Sequence, residues 1–385
     1  MRFSVDAHAI GRHLTGNEVY IRNLLQRFAA LDRDSEFIAY IAAPEAVQWI
    51  PERFRVRQVS ANPFKRLGWD LPLRLREDRP DLLHVQYTAP LGCRTPLVAT
   101  VHDVSFLERP EFFPLARRLQ LRKTVSSTVR RAARILTPSQ FSRAAILRYF
   151  PSSPDQVVVV PNAVSSEFRP MPYEQARARV LDRFGVAHPY ILMVGDLQPR
   201  KNQVGLVRAF AELLRMAPAV PHRLVLVGKR NGYTEAVRRE AERCGVSGRV
   251  HLTGFIADQD LVAVYGGCDM LAFPSFYEGF GIPILEAMAC GRAVACSNVS
   301  AMPEVADGAA ILFDPHSTVE MAKAMRDLLL DRELRQRMER LGQQRAGQFS
   351  WELSAAKTLE VYYEVAGSRQ RSAAAAARTV TVTKS

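Results

Sequence analysis

Cysteine is scarce in this sequence: five occur among 385 residues, at positions 93, 244, 268, 290 and 296. Their number is odd and most lie within apolar or helical patterns, which does not suit a disulfide framework. We therefore expect buried thiols in a reducing compartment. His, Cys, Asp and Glu nowhere show metal-ligand spacing, so the sequence predicts neither a bound metal nor a cofactor built on one.

Long hydrophobic runs are also absent. No stretch of ~18 uninterrupted apolar residues occurs, so the sequence predicts no membrane-spanning helix. The N-terminus begins with a strand-like run that contains Arg2, Asp6 and His8, rather than with the apolar core of a signal peptide. We expect a cytoplasmic protein, with peripheral attachment to the inner face of the membrane left open.

Acidic residues are fewer than basic ones, 39 Asp and Glu against 52 Lys and Arg, for a formal net charge of +13. This excess suits anionic partners such as nucleotide phosphates, acidic lipid headgroups or nucleic acid. Nucleic acid is not favoured, because the basic residues are not interleaved with the aromatic side chains that stack on bases. The dinucleotide-binding pattern GxGxxG is missing as well.

Short apolar runs alternate with longer amphipathic stretches along the chain, which predicts α/β units around parallel sheets. The predicted strands of the first half are 2–7, 37–42, 55–59, 82–86, 97–102, 133–137 and 156–160. Those of the second half are 190–194, 223–227, 249–253, 270–273, 293–296 and 310–313. Two doubly wound, Rossmann-like domains would bind a ligand in the cleft between them, at the carboxyl ends of strands.

A polar break at Arg169-Pro170-Met171-Pro172 places the predicted domain boundary. Residues 1–170 would form the first domain and residues 171–350 the second. A helix over 351–366 would follow. Residues 367–385, with their alanine run, are predicted to be a disordered tail.

The stretch SFYEGFGIPILE, residues 275–286, carries two glutamates around a predicted helix start. Pro283 suits the first helical turn. Glu278 and Glu286 would therefore converge near free helix N–H groups, which can hold a phosphate. Glu286 itself would accept hydrogen bonds from neutral hydroxyls, as on a ribose. From the spacing alone, two surface acids on an amphipathic helix explain the pattern equally well.

Arg200 and Lys201 follow a predicted strand that ends at Gly195, with Asn202 predicted as the N-cap of the next helix. An arginine fork and an ammonium beside a helix N-terminus could hold a diphosphate and offset charge that develops on it. The alternative is a solvated basic turn.

The first half offers two weaker candidates. Gly16 would let a ligand approach the start of a predicted helix, although a simple cap by Thr15 or Asn17 explains that spacing. His102 and Asp103 follow a predicted buried strand and would face the cleft, although a lone histidine there is usually a core or surface residue.

The stretch 275–286, continued by GRAVACSN (291–298) and MPEV (302–305), resembles the signature of the group 1 glycosyltransferases, a retaining family with the GT-B fold. Weaker agreement extends over most of residues 1–366. The resemblance implies that residues 1–170 are the acceptor-side domain, on which helix 351–366 packs back, and that residues 171–350 bind the nucleotide sugar. The resemblance implies transfer of a hexose from a nucleotide diphosphate sugar to a hydroxyl of a glycan or lipid-linked acceptor, without metal or cofactor. The Arg-Lys-Asn form of residues 200–202 is similar to mannosyltransferases of polysaccharide assembly, which favours GDP-mannose over UDP- and ADP-sugars.

The resemblance also implies roles for individual residues. It assigns catalysis to Glu278, His102, Arg200 and Lys201. It assigns nucleotide-sugar binding to Glu286, Phe280, Gly281, Ile282, Gly16, Gly195, Gly254 and Phe255. Two departures stand out: Asp196 follows the glycine where many relatives have arginine, and Asn17-Glu18-Val19 replaces a glycine-rich loop. A sugar phosphorylase, a nucleotide-sugar epimerase and a non-catalytic binding protein are the alternatives.

Residues 109–134 contain eight Arg or Lys against a single Glu, with Phe112 and Phe113 near the start of a predicted helix. A basic amphipathic helix of this kind can lie on anionic lipid. A solvated helix packed on its own domain is the alternative.

Overall fold

The structure is a computed structural model that describes residues 1–12 and 15–382. The chain forms two compact units. The first comprises Met1–Asn162 and the segment that begins at Trp351, and the second comprises Ala163–Ser350. The boundary that the sequence predicts after residue 170 therefore falls inside the second unit, because residues 163–170 pack with the domain that follows them rather than with the one before.

The first unit is built on a seven-stranded sheet in which every pairing is parallel, in the order β3-β2-β1-β4-β5-β6-β7. Its elements up to residue 162 are β1 (Arg2–Asp6), α1 (Thr15–Leu31), β2 (Glu36–Ile41), β3 (Arg55–Gln58), α2 (Pro63–Lys65), α3 (Leu71–Asp78), β4 (Leu82–Gln86), β5 (Leu97–Thr100), α4 (Ser105–Glu108), α5 (Leu115–Arg131), β6 (Arg134–Thr137), α6 (Gln140–Tyr149) and β7 (Val157–Val159). A π-helical turn, Arg66–Asp70, joins α2 to α3.

The second unit repeats this plan with a six-stranded parallel sheet in the order β10-β9-β8-β11-β12-β13. Its elements are α7 (Tyr173–Phe184), β8 (Tyr190–Val194), α8 (Gln203–Met216), β9 (Arg223–Val227), α9 (Thr234–Arg243), β10 (Val250–Gly254), α10 (Asp258–Gly267), β11 (Met270–Phe273), α11 (Ile282–Ala289), β12 (Ala293–Ser297), α12 (Met302–Ala306), β13 (Ile311–Phe313), α13 (Thr318–Leu330) and α14 (Arg332–Ala346).

The central strands of both sheets are buried, as in β4, β5 and β8, which is why they read as nearly continuous apolar runs, whereas the edge strands β3 and β10 are more exposed. All five residues of β8 are buried, and two large apolar clusters pack against the second sheet. The strand order places a topological switch point between β1 and β4 in the first unit and between β8 and β11 in the second. In such sheets, the loops at the carboxyl ends of strands on either side of a switch point form a ligand-binding crevice.

The last helix, α15 (Trp351–Val382), returns to the first unit and packs against α1. Trp351 is buried, and the Tyr363 hydroxyl donates to Asp32 Oδ2 at 2.6 Å. The backbone stays helical well beyond residue 366, where the sequence predicts a disordered tail, because the alanine-rich segment has high helix propensity. The last three residues of that predicted tail lie outside the described chain.

Candidate functional site

The loop before α11 owes its shape to Gly281. Its φ of +111° is unfavourable for other residues, and a Cβ there would lie 3.1 Å from Ile284 Cδ1. Pro283 occupies the first turn, and the Ile284 N–H donates to the Gly281 carbonyl at 3.0 Å. The helix therefore begins directly beyond β11, at the carboxyl edge of the second sheet.

Glu278 lies in this loop and forms ion pairs with both basic residues that follow β8. Its Oε1 is 2.7 Å from Lys201 Nζ, and its Oε2 is 3.2 Å from Arg200 Nη1. All three side chains are about nine-tenths buried. The Arg200 guanidinium also donates to the Tyr277 carbonyl, while the Phe276 N–H donates to the Arg200 carbonyl at 2.9 Å. The two predicted motifs thus meet across the β8–β11 switch point.

The Glu278 carboxylate of this cluster is charged. Burial alone would raise the pKa of Glu278, but Lys201 and Arg200 lower it to about 2, so the carboxylate stays ionised. Arg200, Lys201 and Glu278 form a buried group of charges, with Asp196 also within electrostatic reach of Lys201, and this group lies beside the N-termini of α8 and α11. Such a site has an electrostatic preference for an anion.

Glu286, in the second turn of α11, differs sharply from Glu278. Burial raises its pKa to about 7, and neither Lys201 nor the hydrogen bond from Tyr265 offsets that effect. The Tyr265 hydroxyl donates to Oε2 at 2.6 Å. Oε1 accepts no hydrogen bond from the residues that the structure describes, so it is available to a ligand hydroxyl. Tyr265 lies on α10, 21 residues before Glu286, and no sequence motif points to it.

Gly195 is held against the loop that follows β9. A Cβ on Gly228 would lie 2.1 Å from the Gly195 carbonyl oxygen, so only glycine fits there. Asp196 Oδ1 accepts from the Lys229 N–H at 3.2 Å, which gives this departure from the family pattern a role in joining the two loops. Sequence reasoning missed Gly228 and Lys229. The sequence does contain a signal for these two residues. Gly228 and the basic Lys229 directly follow the end of a strand, at the same sheet edge as Arg200.

Asn202 does not cap α8 as its position suggests. Its backbone adopts the left-handed conformation (φ 60°), and its side chain donates to the Pro315 carbonyl at 2.9 Å. This contact ties the basic turn to the loop after β13. A long-range hydrogen bond, rather than a helix cap, therefore holds the turn that carries Arg200 and Lys201 in place.

The other predicted binding residues of the second unit lie in two places. The Phe280 side chain packs in the apolar core against Phe349, so only its backbone is free to face a ligand, and Ile282 opens α11. Gly254 ends β10 with φ +86°, and its carbonyl accepts from the Gly228 N–H at 3.0 Å. Phe255, the next residue, is half exposed at the same sheet edge.

In the first unit, His102 follows β5 and is buried. Its Nε2 donates to Gln86 Oε1 at 2.8 Å, its ring packs edge-on against Tyr20, and burial lowers its pKa to about 4. It is therefore a neutral hydrogen-bonding group near neutral pH. Gly16 is exposed in the first turn of α1, with open space where a Cβ would be. His13 and Leu14, which begin the predicted loop, lie outside the described residues.

Within the described ranges, 1–12 and 15–382, no group of three or more His, Cys, Asp or Glu side chains is arranged to hold a metal ion. No helix in that part of the chain is long and apolar enough to cross a membrane.

Two family models match the chain, each over one unit. The model of glycosyl transferases group 1 matches residues 183–345, and that of glycosyltransferase family 4 matches residues 14–168. O-antigen chain mannosyltransferase B of Escherichia coli is 35% identical over 266 residues, which are 69% of either chain. The serotype-specific mannosyltransferase WbdA of Escherichia coli is 32% identical over 66% of this chain, but the match spans only 31% of WbdA.

Among solved structures, that of Anabaena HepE in complex with UDP and glucose aligns with a TM-score of 0.76 at 19% identity. The alignment covers 94% of this chain and 99% of HepE. This likeness confirms the predicted fold class, in which two Rossmann-like domains make up a GT-B glycosyltransferase.

Proposed function

Because the chain belongs to the group 1 glycosyltransferases, we propose that it transfers a hexose from a nucleotide diphosphate sugar to a hydroxyl of a glycan or lipid-linked acceptor. The proposed setting is polysaccharide or glycolipid synthesis. We favour mannose from GDP-mannose, on the support of the mannosyltransferase names of the Escherichia coli relatives.

The observation that carries the proposal is the buried cluster of Lys201, Arg200 and Glu278. Its two basic side chains lie at the β8–β11 switch point, with the start of a helix on either side. In this proposal the donor diphosphate binds there, and both cations stabilise the negative charge that builds up as the sugar departs. Glu278 holds the two cations in place and accepts hydrogen bonds from the donor sugar. No bound metal is needed for that stabilisation.

Glu286 is proposed to bind the nucleotide ribose. Its free Oε1 would accept from a ribose hydroxyl, while Tyr265 fixes the orientation of the carboxylate. The N–H groups after Gly281 would face the donor, and the Gly254–Phe255 turn would contact the nucleobase.

The proposed reaction retains the anomeric configuration. The bond between the sugar C1 and the diphosphate oxygen breaks, and the acceptor oxygen forms a new bond to C1 on the same face. The acceptor proton passes to the departing phosphate oxygen, so no second carboxylate is required as a base. His102, neutral and buried, would contact the reacting sugar or the acceptor rather than remove a proton.

Proton NMR of the reaction tests this function. With GDP-mannose and the UDP-, ADP- and dTDP-sugars as donors, and manno-oligosaccharides as acceptors, we expect release of one nucleoside diphosphate and an α-linked product. EDTA should leave the rate unchanged. Lys201→Ala should lower the rate by ~10²-fold or more, whereas Lys323→Ala, at an exposed site in the same unit, should not.

The alternative activities give different results in the same experiment. An isomerised nucleotide sugar without an acceptor would indicate an epimerase, and turnover with inorganic phosphate would indicate a phosphorylase. Tight donor binding without turnover in the presence of any acceptor would indicate a binding protein.

We also propose that the protein works in the cytoplasm with α5 against the inner face of the membrane. Leu115 and Leu119 are exposed on the first half of this helix, beside basic side chains, whereas Val125 and Val129 anchor its second half in the core. An exposed apolar and cationic surface of this kind suits anionic lipid.

Co-sedimentation with vesicles that contain phosphatidylglycerol tests the membrane proposal. Charge reversal at Arg117, Arg118, Arg122 and Lys123 should abolish binding. Charge reversal at Arg332, Arg337 and Arg340, exposed on α14, is the matched control and should not. Equal binding by both variants would remove the basis for the proposal.

A further inference from the structure

The loop that follows β12 packs against the loop that carries Glu278. Strands β11 and β12 are neighbours in the parallel sheet, so the residues after both strands lie at one edge. The Glu278 N–H donates to the Ser300 hydroxyl oxygen at 3.0 Å, and the Ala301 N–H donates to the Glu278 carbonyl at 3.4 Å. Two consecutive residues therefore hold the main chain of Glu278 from both sides. None of the roles described above uses Ser300.

Ser300 makes this contact with a backbone conformation that is rare for serine. Its φ of +57° lies in the left-handed region, which residues other than glycine seldom adopt. Arg79 and Asp307 also have a positive φ, but both lie where a helix ends, a common place for a left-handed residue. Ser300 instead lies two residues before α12 begins. Strained residues of this kind persist where the surrounding structure requires them, and they cluster at functional sites.

The helix that follows does not account for the Ser300 hydroxyl. Serine is favoured as the N-cap of a helix, where its oxygen accepts from an N–H of the first turn. Here Ala301 occupies the N-cap position of α12, and the Ser300 oxygen accepts from Glu278 in the neighbouring loop. The serine therefore serves the loop that carries Glu278 rather than its own helix.

The Glu278 carboxylate depends on an exact placement of its main chain. Its two oxygens contact different cations, Lys201 Nζ at 2.7 Å and Arg200 Nη1 at 3.2 Å. The side chain is about nine-tenths buried, so it has little freedom to compensate for a turned peptide plane. A shift of the Glu278 peptide would therefore move the carboxylate away from at least one of these cations.

We propose that Ser300 is a positioning residue for Glu278. Its hydroxyl and its left-handed backbone fix the Glu278 peptide in the orientation from which the carboxylate reaches both cations and the donor sugar. The inference rests on the proposed function, because the donor sugar is the ligand that Glu278 is proposed to contact. The effect of Ser300 on the reaction passes through Glu278.

Loss of the hydroxyl should lower kcat more than it changes the KM for the donor. The nucleotide is proposed to bind through Lys201, Arg200 and Glu286, whose main chains lie outside the Ser300 loop. A misplaced Glu278 carboxylate instead weakens contacts that matter most as the sugar departs. We expect kcat to fall by about tenfold or more and the donor KM to change by less than about twofold.

Steady-state kinetics and calorimetric Tm values of three variants test the proposal, with GDP-mannose or whichever UDP-, ADP- or dTDP-sugar the unaltered protein uses. Ser300→Gly removes the hydroxyl but suits a positive φ, so Tm should change little while kcat falls. Ser300→Thr keeps the hydroxyl but puts a β-branched residue at a positive φ, so Tm should fall while kcat is kept. Asp307→Gly is the matched control, because it replaces another left-handed residue (φ 42°), at the other end of α12, and should leave kcat unchanged.

The kinetic outcomes decide between a positioning and a merely structural residue. Unchanged kcat in Ser300→Gly overturns the proposal. A loss of kcat in Ser300→Thr as large as that in Ser300→Gly overturns it too, because the hydroxyl would then not be what matters. The proposal also fails if kcat follows Tm across the three variants.

Residue-resolved amide hydrogen exchange at Glu278 gives a readout that needs no turnover. The Glu278 N–H should exchange about tenfold faster or more in Ser300→Gly than in the unaltered protein, and remain protected in Ser300→Thr and Asp307→Gly. Equal protection in all four proteins overturns the proposal. If exchange differs as expected while the unaltered protein turns over no nucleotide sugar, the proposed function fails and the positioning of Glu278 by Ser300 stands.

Discussion

Replacement of Glu286 by glutamine should make the protein more stable at alkaline pH while it weakens nucleotide binding. The carboxyl of Glu286 is buried on α11 and receives one hydrogen bond, from Tyr265. A glutamine side-chain oxygen can accept the same bond without a charge. The unaltered protein therefore loses stability, relative to the variant, as pH rises above 4.5, because the unfolded chain releases the proton that the folded protein still holds.

The size of this effect follows from the raised pKa. A raised carboxyl pKa means that the folded protein binds the proton more tightly than the unfolded chain, so stability is lost as pH rises from 4.5 to about 7. Once the group is ionised in both states, the loss is about 3.4 kcal/mol. Glu286→Gln does not titrate and should be more stable by about 3 kcal/mol at pH 8, but by less than about 1 kcal/mol at pH 5. For a domain of this size that is roughly 6–12 °C in Tm at pH 8.

Scanning calorimetry of both proteins from pH 5 to pH 8 measures the difference, and calorimetric titration with the preferred nucleoside diphosphate measures binding. We expect the Tm gap to open between pH 5 and pH 8 and the affinity of the variant to fall. A gap that stays constant with pH, or a variant that is less stable at pH 8, would refute the burial argument for Glu286.

Three further perturbations have defined outcomes. Lys201→Ala leaves the Glu278 carboxylate with Arg200 alone and should lower stability by about 3 kcal/mol; adding Glu278→Gln should restore much of the Tm but no turnover. Gly228→Ala would place a Cβ 2.1 Å from a backbone oxygen and should lower Tm sharply, whereas Gly232→Ala, in open space on the same loop, should not. Burial lowers the pKa of His188 from 6.5, so the stability advantage of the unaltered protein over His188→Gln should shrink as pH falls below 6.5 in calorimetric scans.

The strands were the part of the fold that the sequence predicted best. All six predicted strands of the second unit are present in the structure, and the apolar run of β8 was placed at its true ends, Tyr190 and Val194. Strands buried on both faces have a strong composition signal that polar turns interrupt. Their ends are less certain: β5 stops at Thr100 rather than at 102, although the Val101 N–H still donates across to Leu136.

The side-chain contacts of the candidate site could not be predicted from the sequence. The parallel sheet, in which β8 and β11 are neighbours, brings the residues after both strands to one edge. That Lys201 would pair with Glu278, 77 residues away, is a matter of side-chain packing that local patterns do not encode. The same holds for Asn202, which local rules make a helix cap and tertiary structure turns into a donor to Pro315.

In the first unit, the sequence indicates a candidate residue but not the side chains around it. His102 is a candidate from the sequence because it follows a predicted strand and has a side chain that can bind or transfer a proton. Gln86, the hydrogen-bond partner of His102, carries no motif, and this contact is visible only in three dimensions. Local patterns place the edge of a sheet but do not encode which polar side chains on that edge pair with each other.

The most direct test of the central claim is a thermal-shift screen of the unaltered protein and Lys201→Ala against GDP, UDP, ADP, dTDP and their sugar conjugates. Ligand that binds only the folded state raises Tm with the ratio of its concentration to its Kd, so one base should stand out at millimolar ligand. We predict a clear shift with one nucleoside diphosphate, GDP by preference, that Lys201→Ala reduces. No shift of the folded protein with any of them would contradict the assignment of a nucleotide-sugar site to the cluster of Arg200, Lys201, Glu278 and Glu286.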